Sequence, residues 1–371
     1  MRGGRPAVRR SVLCAVLVVA GAAGSAALPA IGSPTGAEPP PATALADPAA
    51  QVHPLDGTDT GSVNPGTVGE FPGADTPFGM IQWSPDTSPD AVQSGGGYAY
   101  GDTRIDGFSL THLSGTGCPS YQDVPILPTE GAIGNGPEDT VDTFSHAHEQ
   151  ATPGRYQVTL GPGPMTATLA VTTRTGIARL AFPSGTGSNV LFKVADSANP
   201  VSAAGVRIVG DDEVEGQDTS GGFCQTGTNY TLYFFARFDR PFSSAGTWTS
   251  SGAAAGRASC TGPSCGAFVT FDTRAQHDVL MKVGISFVST RDAEQNLAAE
   301  DPGWSLTQVA ARAHAQWNAL LGRIAARGGT PAQEHTFYTV AVPLAPLPQR
   351  RVRRERPVRR KRRQGANRPR T

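Results

Sequence analysis

The sequence predicts a mainly β protein, in which an antiparallel β-sandwich is followed by a helical linker. Between Arg155 and Val288 short β-type runs recur, among them "RYQVTL", "NVLFKVA", "YTLYFFARF" and "VLMKVGISFV". They are rich in Val, Phe, Tyr and Thr, often alternate polar with apolar residues, and are separated by Gly, Pro, Ser and Asp. Many short strands at this spacing are typical of a sandwich. We therefore expect one N-terminal β-sandwich domain over residues 52–290.

The N-terminus has the layout of a secretory signal peptide. Four arginines lie within the first ten residues and an apolar run follows from Val12 to Ala30. A membrane anchor is the weaker interpretation, because Gly and Pro dilute the run and it is barely long enough to span a bilayer. We expect residues 1–30 to be removed, which predicts a secreted protein without a stable membrane span. The Pro- and Ala-rich residues 31–51 predict a flexible spacer.

A helical linker is predicted over residues 291–339. The segment "SLTQVAARAHAQWNALLGRIAARGG" begins with Ser305 and Gln308 at the two ends of a capping box. Apolar residues then recur every three or four positions until a pair of glycines. This pattern predicts a helix over 305–327 that packs along the sandwich, and a second helix near Pro331.

The basic charge is concentrated at the ends of the chain. Of 31 Lys and Arg, twelve lie in 350–371 and four in 1–30, so fifteen remain in 31–349 against 30 of the 31 acidic residues. The body is therefore strongly negative, which disfavours nucleic acid as a partner. Residues 340–371 are expected to form a basic disordered tail, because like charges repel and no apolar face offsets the ordering entropy. We interpret the tail as a frameshift product rather than a functional basic arm.

Four cysteines follow the signal segment. The motif "CTGPSC" predicts a small disulfide loop between Cys260 and Cys265, since Gly and Pro favour a turn there and disulfides persist in exported proteins. Cys118 and Cys224 either pair or stay free, and their spacings match no zinc motif.

The stretch Gly95–Thr129, "GGGYAYGDTRIDGFSLTHLSGTGCPSYQDVPILPT", is dense in glycine and hydroxyl residues. Long ordered loops of this kind tend to carry function. Taken singly, each polar residue is better explained as a turn cap or a structural group, but together they suit close approach to a polar ligand. Tyr98 and the preceding Trp83 are equally compatible with stacking on a sugar and with core packing. The polar candidates are Asp102, Asp106, His112, Cys118 and Asp123.

We interpret two further charged motifs as structural rather than metal-binding. "SHAHEQ" contains His146, His148 and Glu149, which could bind a metal, but no helix aligns them and a solvated strand edge is favoured. "DDEVE", Asp211–Glu215, lacks the periodicity of a calcium loop and is interpreted as a surface turn.

Four motifs together resemble glycoside hydrolase family 92. "FPGADTPFGMIQWSPDT", the long motif above, "FSHAHEQATPGRYQVTL" and "TFYT" occur in the family's order, over roughly Val52–Thr339. Members of that family are calcium-dependent, inverting exo-α-mannosidases with an N-terminal β-sandwich, a helical linker and a C-terminal (α/α)6 barrel. The resemblance implies that the Gly95–Thr129 stretch walls a mannose pocket between the two domains. The implied carbohydrate-binding candidates are Gly73, Ala74, Trp83, Tyr98, His112, Cys118 and Asp123.

The sequence leaves the family pattern after "TFYT", and we expect the barrel to be absent. An inverting glycosidase needs an acid and a base carboxylate about 6.5–9.5 Å apart. In the family both, with most calcium ligands, come from the barrel, so we assign no catalytic or metal-binding residue here. Two functions stay open: the N-terminal domain of a secreted α-mannosidase acting on terminal α-mannosides or other glycans, and a non-catalytic carbohydrate-binding or structural β-sandwich. A barrel-coding sequence downstream of Tyr338 would favour the first.

Overall fold

The computed structural model describes residues 45–59, 69–89, 96–115, 118–223, 226–326 and 328–342. Strands dominate from Ala74 to Ser286, and helices follow from Thr290. The predicted signal peptide, the first part of the predicted spacer and the predicted tail from residue 343 onward lie outside the described residues.

Seventeen strands form the described β region, and every pairing between them is antiparallel. Their bounds are β1 Ala74–Asp75, β2 Gln82–Ser88, β3 Arg104–Ser109, β4 Ile126–Glu130, β5 Asp142–Thr152, β6 Arg155–Leu160, β7 Met165–Val171, β8 Thr175–Ala181, β9 Ser188–Phe192, β10 Ala203–Val209, β11 Glu213–Gly221, β12 Asn229–Phe238, β13 Ser244–Thr249, β14 Gly252–Ala255, β15 Ser259–Thr261, β16 Gly266–Phe271 and β17 Asp278–Ser286.

The strands form two sheets that enclose one apolar core. The first sheet has the order β15, β10, β11, β12, β17, β8, β7, β6, β5. The second has the order β14, β13, β16, β9, β4, β3, β2, β1, and β5 also pairs with β3. Side chains from both sheets fill the core, among them Phe192, stacked on Phe234 at 6.0 Å between ring centroids. The predicted antiparallel sandwich is thus confirmed.

Three helices follow the sandwich: α1 Thr290–Glu300, α2 Leu306–Leu321 and α3 Pro331–Ala341. Ser305 caps α2 by accepting from the Gln308 backbone N–H, which is the Ser305 half of the predicted capping box. The prediction that this helix runs to residue 327 is wrong, because α2 ends at Leu321 and Gly322 is its C-cap. The predicted second helix begins at Pro331, where a capping box satisfies its first N–H groups.

The helices are fixed to the sandwich by buried side chains and one ion pair. Val309 of α2 packs on Ala170 and Ile177 of the first sheet. At the end of α1, Glu300 accepts hydrogen bonds from the Thr172 hydroxyl at 2.6 Å and from the Arg174 backbone N–H at 2.9 Å. Its other oxygen pairs with the Arg174 guanidinium, so α1 is tied to the β7–β8 turn.

Part of the predicted spacer is ordered, which corrects the prediction of a flexible segment over residues 31–51. Pro48–Gln51 form a 3-10 helix, and Ala49 donates to the Asn318 side chain at 2.9 Å. Ala49 and Val52 are buried with Trp317 and other residues of α2 and α3, and this apolar burial offsets the ordering cost. The predicted tail also starts too early, because α3 continues to Ala341. Within the described ranges, no helix combines the length and the hydropathy that crossing a membrane requires.

Candidate functional site

The Gly95–Thr129 stretch is more regular than the sequence predicts, since it contains β3 and most of β4. Between these strands lies a loop whose described residues are 110–115 and 118–125, and we call these residues the polar loop. Its two arms are joined by backbone hydrogen bonds, from Gln122 N to Thr111 O at 2.8 Å and from Leu110 N to Asp123 O at 2.9 Å. Tyr121, Gln122 and Val124 have φ of 61°, 59° and 56°. Three non-glycine residues in this strained region indicate that surrounding contacts impose the loop's shape.

Asp123 holds the polar loop through hydrogen bonds from four hydroxyl groups, and we call the carboxyl with these groups the hydroxyl hub. Its carboxyl is fully buried and lies at the base of the loop. Burial raises its pKa, and the hydrogen bonds it accepts oppose that rise. The donors are Thr111 at 2.6 Å, Ser220 at 2.8 Å, Ser197 at 2.9 Å and Tyr230 at 2.9 Å. Asp123 therefore organises the loop from inside and is not free to meet a sugar.

His112 is also a structural group of the polar loop. The ring is buried, with Nδ1 3.0 Å from the Gln82 carbonyl oxygen and Nε2 3.0 Å from Asp86 Oδ1. The other oxygen of Asp86 accepts from the Ser109 hydroxyl. These contacts connect the loop to β2 and leave neither ring nitrogen exposed.

The remaining candidates lie in the core or in a second buried hub. Trp83 is 1% exposed, and its indole N–H donates to the Phe108 carbonyl at 3.1 Å. The interpretation of Trp83 as a sugar-stacking wall is therefore wrong, and its alternative as a core residue holds. Tyr98 is buried too, and its hydroxyl donates to Glu149 at 2.9 Å. Glu149 also accepts from Tyr156 at 2.5 Å and contacts His146, so it lies inside the fold rather than on a solvated strand edge.

Gly73 and Ala74 precede β2 and are both buried. A Cβ at Gly73 would lie 2.3 Å from Ser84, so the backbone there needs glycine. Gly96 is under the same steric constraint, because a Cβ there would lie 2.1 Å from the Glu70 carbonyl oxygen. The glycine content of these motifs therefore serves close packing of backbone segments.

The structure shows disulfide bonds at three of the cysteines considered in the sequence, Cys118, Cys260 and Cys265. Cys260 and Cys265 form a disulfide with an S–S distance of 2.08 Å. Cys118 is half-buried and disulfide-bonded as well. Its sulfur is thus part of the scaffold of the polar loop rather than a free thiol.

An aromatic pocket opens on one side of the polar loop. It has a volume of about 360 Å³ and is lined by Ser120, Tyr121, Asn199, Phe223 and Tyr230, among others. The rings of Tyr121 and Tyr230 lie 5.2 Å apart at 37°, and Phe223 is 40% exposed. Aromatic faces beside a few amides and hydroxyls suit a ligand with both C–H faces and hydroxyl groups.

A second, acidic pocket of about 330 Å³ also borders the polar loop, where Gln122 meets Asp86, Asp106, Lys193 and Asp196. Burial raises the pKa of Asp196 to about 6 and lowers the pKa of Lys193. The Lys193 ammonium donates to the Thr140 carbonyl at 2.7 Å. The Lys193 cation offsets only part of the charge of these carboxyls, so the pocket stays acidic.

Most of the predicted site residues are buried among protein partners, among them Trp83, Tyr98, His112 and Asp123. The walls of the aromatic pocket are other side chains, Tyr121, Asn199, Phe223 and Tyr230. Tyr121 is part of the quoted motif and could have been chosen from it. Asn199, Phe223 and Tyr230 come from distant segments and carry no local signal.

Two sequence-family comparisons match successive parts of the chain. The model of the glycosyl hydrolase family 92 N-terminal domain matches residues 51–286, and the model of the family 92 catalytic domain matches residues 292–355. The second match extends beyond Thr339, where the sequence was expected to leave the family pattern.

Individual relatives agree with this result. An uncharacterized secreted glycosidase of Arthroderma benhamiae is 25% identical over 301 residues, which cover 72% of this chain and 38% of the relative. A family GH92 α-mannosidase of Bacteroides thetaiotaomicron superposes with a TM-score of 0.73 at 27% identity, covering 81% of this chain and 42% of the other. A family GH92 inverting mannosidase of the same organism gives 0.71 at 25% identity, covering 83% and 41%. The chain thus spans about two fifths of the length of these relatives.

Proposed function

Because this chain belongs to glycosyl hydrolase family 92, we propose that it supplies the N-terminal, glycan-binding wall of a secreted α-mannosidase. The observation that carries the proposal is the aromatic pocket beside the polar loop, on the domain that the family comparison matches. The sugar class is inferred from the solved relatives, two of which are described as mannosidases.

The aromatic pocket has the chemistry that a hexose requires. Tyr121 and Phe223 offer ring faces for the C–H face of a pyranose, and the Asn199 and Ser120 side chains offer polar groups for its hydroxyls. Asp123 holds Tyr230 in place, since the Tyr230 hydroxyl donates to that carboxylate, and the Tyr121 ring lies against Tyr230. A rigid aromatic wall loses little entropy on binding a ligand.

Catalysis is assigned to the remainder of the enzyme. Inverting hydrolysis needs an acid and a base on opposite sides of the glycosidic bond. The family resemblance places both in the catalytic domain, and the match to the model of that domain is confined to residues 292–355 of this chain. We therefore expect the 371-residue chain to bind α-mannosides without hydrolysing them.

Calcium is expected from the family, but the described residues do not fit it. Among the described residues, one group of three His, Cys, Asp or Glu side chains has its ligand atoms close together. This group consists of two histidines and one aspartate. Calcium takes six to eight oxygen ligands. We therefore assign no calcium ligand and no calcium-dependent step to the described part of the chain.

A matched pair of variants tests the pocket. Phe223 and Phe337 are both 40% exposed, but Phe337 lies on α3 outside the pocket. Binding of methyl α-mannoside, followed by calorimetry, should weaken roughly 3- to 10-fold in Phe223→Ala because one ring contact contributes about 0.5–1.5 kcal/mol. Phe337→Ala should bind like the wild type. Equal affinities in all three proteins would contradict the pocket assignment, and turnover of an aryl α-mannoside would contradict the assignment of catalysis elsewhere.

Export rests on the arginine-led apolar N-terminus and on the secreted relative. Mass spectrometry of the protein from culture medium should show an N-terminus lying after residue 30. Accumulation inside the cell with Met1 retained would contradict it.

A further inference from the structure

Three side chains able to ligate a metal meet where the N-terminal segment crosses α3. His53 and Asp56 follow the 3-10 helix, and His335 lies on α3. One ligand atom from each lies within 4.8 Å of the other two. His335 Nε2 is 3.6 Å from Asp56 Oδ2, and the rings of His53 and His335 are 4.0 Å apart at 73°.

Contacts beneath the cluster hold its two halves together. The His53 backbone N–H donates to the Thr339 hydroxyl at 3.2 Å, and Asp56 N donates to His53 O at 3.0 Å. Val52, next to His53, is buried with Tyr338 of α3. The approach of the three side chains is therefore set by the backbone and core, and not by an attraction between the rings.

The His335 ring carries an unsatisfied polar atom. Its Nε2 is buried and has no hydrogen-bond partner among the described residues. The 3.6 Å separation from Asp56 is too long for a hydrogen bond. A buried ring nitrogen without a partner costs stability, and a metal ion bound to this nitrogen would remove that cost.

We propose that His53, Asp56 and His335 bind a divalent transition metal of the zinc class. Neutral imidazole and carboxylate are ordinary zinc ligands, and two histidines with one carboxylate leave at least one position for water. Zinc bonds of about 2.0–2.1 Å in a tetrahedron place ligand atoms roughly 3.4 Å apart. Rotation of the exposed His53 and Asp56 side chains closes the remaining gap.

Metal binding here links the start of the described chain to its last described helix. His53 and His335 belong to segments separated by most of the sandwich sequence. A ligand that binds only the folded state stabilises it in proportion to the logarithm of its concentration over Kd. Zinc should therefore raise the Tm of the chain, and a chelator should reverse that rise.

The test uses the untagged full chain, freed of metal and titrated with zinc chloride in a calorimeter. We expect one zinc per chain in the wild type and at least a roughly 10-fold weaker affinity in His335→Ala. The matched control is His314→Ala, which removes the histidine of another exposed His–Asp pair, 3.0 Å from Asp47. This control should bind zinc like the wild type.

A second variant and a second metal keep the test decisive. Asp56→Asn should weaken zinc binding while leaving Tm in a chelator unchanged, so the result does not depend on whether His335→Ala folds. Cobalt should give the intense visible absorption of a low-coordinate site in the wild type and in His314→Ala, but not in His335→Ala. The proposal is overturned if the wild type binds no zinc, if the variants and the control bind alike, or if calcium binds as tightly as zinc.

Discussion

Replacing Asp123 with alanine should destabilise the protein strongly, because one carboxylate accepts hydrogen bonds from four hydroxyl groups. Those groups belong to Thr111, Ser197, Ser220 and Tyr230, at distances of 2.6–2.9 Å. Hydrogen bonds to a charged acceptor contribute about 1.5–3 kcal/mol each. Removing the carboxylate also removes the cost of burying its charge, the cost that raises its pKa. We expect a net loss of about 2–4 kcal/mol in the free energy of unfolding.

Urea denaturation near neutral pH, followed by tryptophan fluorescence, measures this loss. The control is Asp278→Ala, since that carboxylate is 47% exposed and lies 3.9 Å from the Arg179 guanidinium. An exposed pair of this kind contributes less than about 1 kcal/mol. If Asp123→Ala is as stable as the control, the hydroxyl hub does not hold the polar loop, and the rigidity inferred for the aromatic pocket is lost with it.

Three further substitutions test other parts of the fold. Gly96→Ala should lower the free energy of unfolding by about 1–3 kcal/mol, because its Cβ would lie 2.1 Å from the Glu70 carbonyl oxygen. The control Gly101→Ala should be neutral in the same urea assay, since no atom lies within 4 Å of its Cβ. Equal losses in the two variants would contradict the close approach at Gly96. Burial raises the pKa of Asp75 from 3.8 to about 7, so its stabilising contribution is complete below about pH 4 and is lost as the pH rises to about 7. Asp75→Asn should remove up to about 4 kcal/mol of that fall, and parallel stability curves for variant and wild type would refute it. Glu300→Ala should lower stability by about 2 kcal/mol, because a hydroxyl and a backbone N–H lose their acceptor; an unchanged Tm would contradict the tie between α1 and the sandwich.

Local patterns were sufficient for most of the secondary structure. Alternation in "RYQVTL" predicts β6, and Ser305 predicts the start of α2. The helix end was misplaced because Gly322, rather than the later glycine pair, terminates α2. The ordered N-terminal segment was missed because its apolar residues, Ala49 and Val52, are too few to form a pattern and are buried only against the distant α2 and α3.

The candidate site shows where prediction from residue type fails. Residue type alone did not distinguish a hydroxyl or carboxylate that meets a ligand from one that holds the loop. Asp123 and His112 have the chemistry of sugar ligands, yet both are buried among protein partners. The aromatic walls come from segments that are far apart in sequence, such as Tyr121 and Tyr230, and only the sandwich brings their rings to 5.2 Å.

The sequence by itself determined the class of fold, the short disulfide and the family, because periodicity, turn residues and contiguous motifs are local properties. The tertiary structure alone decided which side of each strand faces the core, and therefore that Trp83 is buried and Phe223 exposed. It also decided that His53 and Asp56 meet His335. Such contacts depend on strand order and helix docking, which are set by the sum of many weak packing terms over the whole chain.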